Sequence, residues 1–281
     1  MIRIITDSTC EAPPALLSHP IVTVVPLHVI FGQQSYRDNV DMTREQFWAH
    51  LPKSSVLPTT SQVTPGQFEV PFRAFTDAGD EIIAIILSAK LSRTYESALT
   101  ARATLPSAAI SVVDSQSISV GLGLLVEKAV AMAEAGASRA EITAKLEQIK
   151  GKIGFLFTLQ TLEYLQRGGR IGKAQAFMGT LLQFKPLLSI TEGEVHPAAR
   201  VRSMSKAIET MQDLLSQQVS ARGETVHIGV AHANTPDTAT EIAAALGKRF
   251  GTSHGFICTL GPVIGTHVGP GTVGAAVYGG D

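Results

Sequence analysis

Charge is scarce in this sequence, and an excess of one sign is absent. Charged residues make up 17% of the 281 positions, aromatic residues only 6%, and the formal net charge is -1. A nucleic-acid protein shows a basic face interleaved with stacking aromatics, and no long basic run occurs here. Cysteine is almost missing. Cys10 and Cys258 are the two present, and neither sits in a CxxC pair that would hold a metal or cycle between redox states. Uncharged apolar runs of eighteen residues are missing as well, and no apolar stretch follows a basic one at the N-terminus. A membrane span and a secretory leader are therefore not expected, and the cytoplasm is the expected compartment. The nucleotide loops G-x-G-x-x-G and G-x-x-x-x-G-K-[ST] and the nucleophile elbow G-x-S-x-G do not occur. Histidines 19, 28 and 50 are scattered, and His227 and His232 lie on or just after one strand without an evident third ligand, so no metal or other cofactor is expected.

What is present is a rhythm. Residues 2–6 are a β-branched run that ends in Asp7-Ser8-Thr9, the pattern of a buried strand leaving into a polar turn. Residues 22–26 and 28–31 read as extended, with a hairpin turn over 32–36. Thr43 with Gln46 forms a capping box before a short helix. Thr64-Pro65 with Gln67 opens another, over 65–76. Between them 59–62 reads as a polar loop. Strands over 81–87 and 109–113 alternate with helices over 95–103 and 119–134, and Ser138 with Glu141 caps one that ends near 150. Alternation of this kind predicts a largely parallel sheet flanked by helices. Glycines at 151 and 154 break it, and a boundary is expected there. Residues 1–150 would form an N-terminal, largely parallel-sheet α/β domain, and 151–281 a C-terminal mixed-sheet α/β (or α+β) domain. In the second part, strands are expected over 155–158, 186–191, 194–200, 226–231, 256–260 and 273–278. Helices are expected over 161–166, 175–182 and 203–219, and after Thr235-Pro236.

Three polar loops, 7–9, 88–94 and 114–117, fall where strands of the first sheet end, and 59–62 joins them. Ligands of open α/β sheets bind beyond the C-terminal strand ends. Hydroxyls and helix-terminal N–H groups suit a carboxylate or phosphate. Single serines and threonines also serve as ordinary caps, so each hydroxyl has two readings. Residues 261–272 hold four glycines, two prolines and His267. That histidine fits a carboxylate partner as well as a structural turn. Arg167, Arg170 and Lys173 flank a double glycine, and Arg200 and Arg202 follow a strand. They fit an anionic partner surface or plain surface charge. A Ser92–His267–Asp114 triad also stays open, because triads are set by geometry.

At these residues the sequence resembles the DegV family, the fatty-acid-binding proteins of bacteria. The likeness runs from Ile4-Ile5-Thr6-Asp7-Ser8-Thr9 through Tyr36-Arg37-Asp38, Thr59-Thr60-Ser61-Gln62 and Leu91-Ser92-Arg93-Thr94-Tyr95. It continues in Asp114-Ser115 and Arg167-Gly168-Gly169-Arg170-Ile171, and closes on His267-Val268-Gly269-Pro270-Gly271. Each piece is weak alone; their order and spacing make the likeness specific. It implies a carrier without chemistry of its own. A long-chain fatty acid would be held by its carboxylate at Thr60, Ser61, Ser92, Thr266 and His267, with its tail in an apolar tunnel of the C-terminal domain. It further implies a separate ATP-dependent fatty acid kinase subunit as partner, with Arg167 and Arg170 in the region linked to its surface; Arg200 and Arg202 are expected to extend that surface if the segments meet, and at most transient membrane contact is expected. The alternative is a stand-alone acyl hydrolase using Ser92 and His267. One departure stands out: Arg93 occupies the position of the family's usual glycine. Three outcomes are open for it, a clash, a solvent-facing side chain or an added positive group near the anion.

Overall fold

The β-branched run at the start of the chain forms β1 (Ile2–Asp7), buried on both faces from Ile4 onward. In the computed structural model, which describes residues 1–180, 184–219 and 225–280, a short helix α1 (Pro14–Leu17) follows and leads to β2 (Val22–Val25). β3 (His28–Phe31) and β4 (Gln34–Arg37) turn about Gly32-Gln33, with Gly32 at φ 60°. The turn is thus tighter than the 32–36 expected from sequence, and residue 34 already pairs. α2 (Arg44–His50) starts at the Thr43–Gln46 capping box. Next comes β5 (Thr59–Ser61), where a loop was expected. Three residues carry too little pattern to announce a strand, and β5 exists because β3 offers it an antiparallel edge. α3 (Pro65–Asp77), β6 (Glu81–Ile86), α4 (Thr94–Ala103), β7 (Ile110–Asp114), α5 (Ser119–Glu134) and α6 (Arg139–Ile149) complete the alternation.

The strands order as β2-β1-β6-β7, every pair parallel. α3 and α4 pack together against β6, as do α5 and α6. The core is aliphatic, led by Ile4, Ile5, Ile82, Ile83 and Ile85, with Phe68 and Phe72 from α3. A small antiparallel sheet, β4-β3-β5, stands beside it.

The rest of the chain gives β8 (Gly154–Thr158), α7 (Glu163–Arg167), a 3₁₀ segment (Gly172–Thr180), β9 (Lys185–Thr191), β10 (Glu194–Val201) and α8 (Met204–Gln218). β11 (Val226–His232), α9 (Pro236–Phe250), β12 (Gly255–Thr259), α10 (Pro262–Val268) and β13 (Val273–Gly279) follow. The helix expected over 175–182 is 3₁₀ where it is described, and residues 181 and 182 lie outside the described residues. The six-stranded sheet runs β10-β9-β8-β13-β11-β12, with β11 and β12 parallel and the other pairs antiparallel. It is a mixed sheet, as expected.

α5 explains the low charge. Ten of its residues are buried, from Ser119 to Val130. It touches β1 and β6 of the parallel sheet and also β11 and β13 of the mixed one. A helix apolar all round is one covered all round. α8 and α9 cover the other side of the mixed sheet through Met211, Leu215, Ile242 and Leu246. The β9–β10 hairpin reaches back to the first sheet: Ser88 Oγ donates to the carbonyl of Gly193 at its tip, 2.6 Å away.

Candidate functional site

Between the two sheets lies a cavity of about 290 Å³. Its walls come from both sides. Leu27, Leu87, Leu91 and Ile118 face it from the parallel-sheet side, and Phe155, Phe157, Leu165, Ile190, Val195 and Ile264 from the mixed-sheet side. The apolar wall is therefore shared between the two sides.

One end is polar. Thr60 sits at the centre of β5, and its Oγ1 is 2.9 Å from Nε2 of His267, in the last turn of α10. Ser61, Gln62 and Ser92 share that wall. Ser92 Oγ lies 2.9 Å from Thr94 Oγ1 and accepts from the Thr94 amide, so it shapes the turn into α4. Arg170 closes the same end. Its Nε donates to Leu91 O at 3.1 Å and its Nη1 to Gly168 O at 2.7 Å. Among the described residues lining the cavity, Arg170 alone carries a fixed charge. Burial, and then the Arg170 guanidinium, push the imidazole of His267 down to about 4. At neutral pH it is uncharged, and the end presents one cation, one neutral imidazole and several hydroxyls. Ser61, Gln62 and Arg170 are exposed, so this polar end is also the mouth.

The remaining expected residues fall in different places. Thr266 is buried, spends its hydroxyl on the carbonyl of Pro262 at 2.9 Å, and is not on the cavity wall. Its hydroxyl back-bonds within α10. Arg167 pairs with Glu163 at 2.7 Å on α7. Arg200 lies over the Phe177 ring at 4.5 Å and reaches the Ala176 carbonyl. Arg202 is exposed. Arg93 is exposed too, so of the three outcomes left open it faces solvent, and Ser92 keeps its place on the wall. The triad is not assembled. Asp114 Oδ1 accepts from the amides of Ala89 and Gln116, while His267 Nδ1 has no hydrogen-bond partner among the described residues. A Ser–His–Asp relay requires Nδ1 to donate to the carboxylate.

Sequence reasoning missed two features. It read Arg170 as lying outside the ligand loops, and nothing local signals that the double-glycine turn folds back onto Leu91. It also missed a buried ionic cluster behind the site. Asp7 accepts from the Thr9 amide and hydroxyl and the Leu87 amide, tying the strand-end loops together. Glu11 accepts from Arg44 Nη2 at 2.7 Å and from the Gly261 amide at 2.6 Å, next to α10. Asp38 accepts from Ser8 Oγ at 2.8 Å. Burial raises Glu11 to about 7 and Asp38 to about 8. Among the described residues no group of three or more His, Cys, Asp or Glu side chains is arranged to hold a metal ion. Nor is any helix among them long and apolar enough to cross a membrane.

This architecture, a parallel sheet and a mixed sheet enclosing a cavity with a Thr–His pair at its mouth, has known relatives. The family model described as "Uncharacterised protein, DegV family" matches residues 1–279, and the chain belongs to the DegV family. A DegV domain-containing protein of Halalkalibacterium halodurans is 35% identical over 278 residues, 99% of this chain and 98% of that one. Among solved structures, a DegV family protein from Thermus thermophilus, described for its fatty acid binding, superposes with a TM-score of 0.93 at 34% identity, covering 99% of each chain. DegV of Bacillus subtilis, described as a fatty acid binding protein, superposes with a TM-score of 0.89 at 30% identity, again over 99% of each.

Proposed function

We propose that this chain binds a long-chain fatty acid, with the carboxylate at the mouth and the acyl tail in the shared apolar cavity. The observation that carries the reading is the division of one cavity into a single-cation, hydroxyl-lined end and apolar walls. Thr60, Ser61 and Ser92 would donate to the carboxylate, with His267 backing Thr60 through their 2.9 Å contact and Arg170 as the counter-charge. The donors are modest and the tail supplies most of the affinity. Each buried methylene contributes about 0.8 kcal/mol, so roughly ten of them offset much of the cost of association. The fatty-acid-binding relatives support the reading. In this picture residues 1–150 and 151–281 act as two lobes closed on the ligand.

The carboxylate would face the open end, where a separate ATP-dependent kinase could reach it and form an acyl phosphate. The sequence has no nucleotide loop of its own for that step. Arg167, Arg200 and Arg202, all exposed, are the residues proposed to meet the partner, with Arg170 at the rim.

Native mass spectrometry of purified protein, followed by extraction and lipid analysis, tests the core of this reading. A stoichiometric fatty acid is expected. Protein that carries none and takes up no palmitate would end it.

A further inference from the structure

His267 has two ring nitrogens in different surroundings. Nε2 faces Thr60 Oγ1 at 2.9 Å. Nδ1 is buried, without a hydrogen-bond partner among the described residues. What covers Nδ1 is the backbone of Gly168, the residue that ends α7. A Cβ built on Gly168 would overlap Nδ1 and stand 2.8 Å from Cε1 of the same ring. Gly168 has φ -74° and ψ -9°, ordinary right-handed helical geometry. Its backbone therefore does not call for glycine; alanine would adopt that conformation more readily. The ring contact does call for it.

The two neutral tautomers differ sharply in such a setting. With the proton on Nδ1, a buried N–H would point at the glycine backbone unpaired, while Nε2 took the Thr60 proton. With the proton on Nε2, the unpaired atom is only an acceptor, which buried sites tolerate better than an orphaned N–H. Nε2–H then donates to Thr60 Oγ1, and the single Thr60 proton is released to point elsewhere. The choice decides the sign of the mouth. In one tautomer Thr60 offers lone pairs to an approaching anion; in the other it offers a donor. We infer that Gly168 is a positioning residue that holds His267 as the Nε2–H tautomer, so that the Thr60 hydroxyl is a committed donor to an anionic head group.

This inference rests on the fatty-acid reading for the identity of the anion, but its first test needs no ligand. Ligand-free protein labelled with ¹⁵N-histidine is examined by long-range ¹H–¹⁵N correlation at neutral pH. A protonated Nε2 and a bare Nδ1 are expected at His267; a proton resident on Nδ1 would overturn the inference even if palmitate binds. The second test is Gly168→Ala. Displacement of the ring should change the tautomer signature and raise the Kd for palmitate about tenfold, the loss of roughly one hydrogen bond to a charge. Hexadecanol, with no charge, should lose less. A variant that keeps both the parental signature and the parental palmitate Kd would also overturn it. Should Gly168→Ala fail to fold, the wild-type spectrum alone decides.

Discussion

Replacing Thr60 by valine exchanges one hydroxyl for one methyl and keeps the β-branching that suits β5. The hydroxyl lies 2.9 Å from His267 Nε2, and in the proposed complex it donates to the ligand carboxylate. A hydrogen bond to a charged group contributes about 1.5–3 kcal/mol, and about 1.4 kcal/mol is a factor of ten. The Kd for palmitate should therefore rise roughly 10- to 150-fold. For hexadecanol the same bond is between neutral groups, about 0.5–1.5 kcal/mol, and the loss should be correspondingly smaller. The fold should suffer little. The Thr60–His267 contact is only part-buried, so losing this one hydrogen bond should cost about 1 kcal/mol. A loss near 1 kcal/mol corresponds to about 2–4 °C in Tm for a chain of this size. Isothermal titration with both ligands, alongside thermal melting, measures all three quantities. Palmitate affinity within about twofold of the parent, or equal losses for the acid and the alcohol, would refute the assignment of Thr60 to the carboxylate.

Two further outcomes test the frame behind the site. Asp38 is held up to about 8 by burial, against about 4 in an unfolded chain. Its folded form keeps a proton that the unfolded form has already lost, so the stability it contributes is present below about pH 4 and disappears as pH rises through about 8. Asp38→Asn, which cannot ionise, should therefore gain in Tm relative to the parent between about pH 5 and about pH 9; a pH-independent difference would contradict the burial of an ionisable Asp38. At the hairpin tip, Gly193 has φ 78°, and a Cβ there would overlap Ser88 Oγ. Gly193→Ala should cost about 1–3 kcal/mol in urea unfolding, and an unchanged midpoint would show that the tip does not dock on Ser88.

Local chemistry was legible in the chain, and contacts between distant segments were not. The three capping boxes, Thr43 with Gln46, Thr64 with Gln67 and Ser138 with Glu141, form where the residues announce them, since each needs only a four-residue neighbourhood. α5 was readable from Ser119 to Glu134 because a long apolar run bounded by serine and glycine has few other solutions. β5 was not, because its reason lies on β3. The Thr60–His267 pair, 207 residues apart, came into view only through the family resemblance. Nothing local marks Glu11 or Asp38 for burial, since carboxylates usually lie at the surface. Glu11 is buried against Arg44 and the Gly261 amide, and Asp38 against the Ser8 hydroxyl, all partners that arrive from distant segments.

The position of β13 has a consequence for the order of events during synthesis. It follows every other strand of the mixed sheet in sequence, yet it stands inside that sheet, between β8 and β11. The parallel sheet β2-β1-β6-β7 is complete in sequence once β7 has emerged, and it can close early. The mixed sheet cannot, because its middle is missing until 273–279 arrive. Through all that time one side of α5 and the apolar wall opposite Leu27 and Leu87 face solvent. A chain in which β13 had not yet paired would expose an open, apolar half-site, the kind of surface that aggregates or recruits a chaperone. Pairing of β13 between β8 and β11 completes the sheet behind the cavity, so competence to hold a ligand would be acquired in one step, not by degrees.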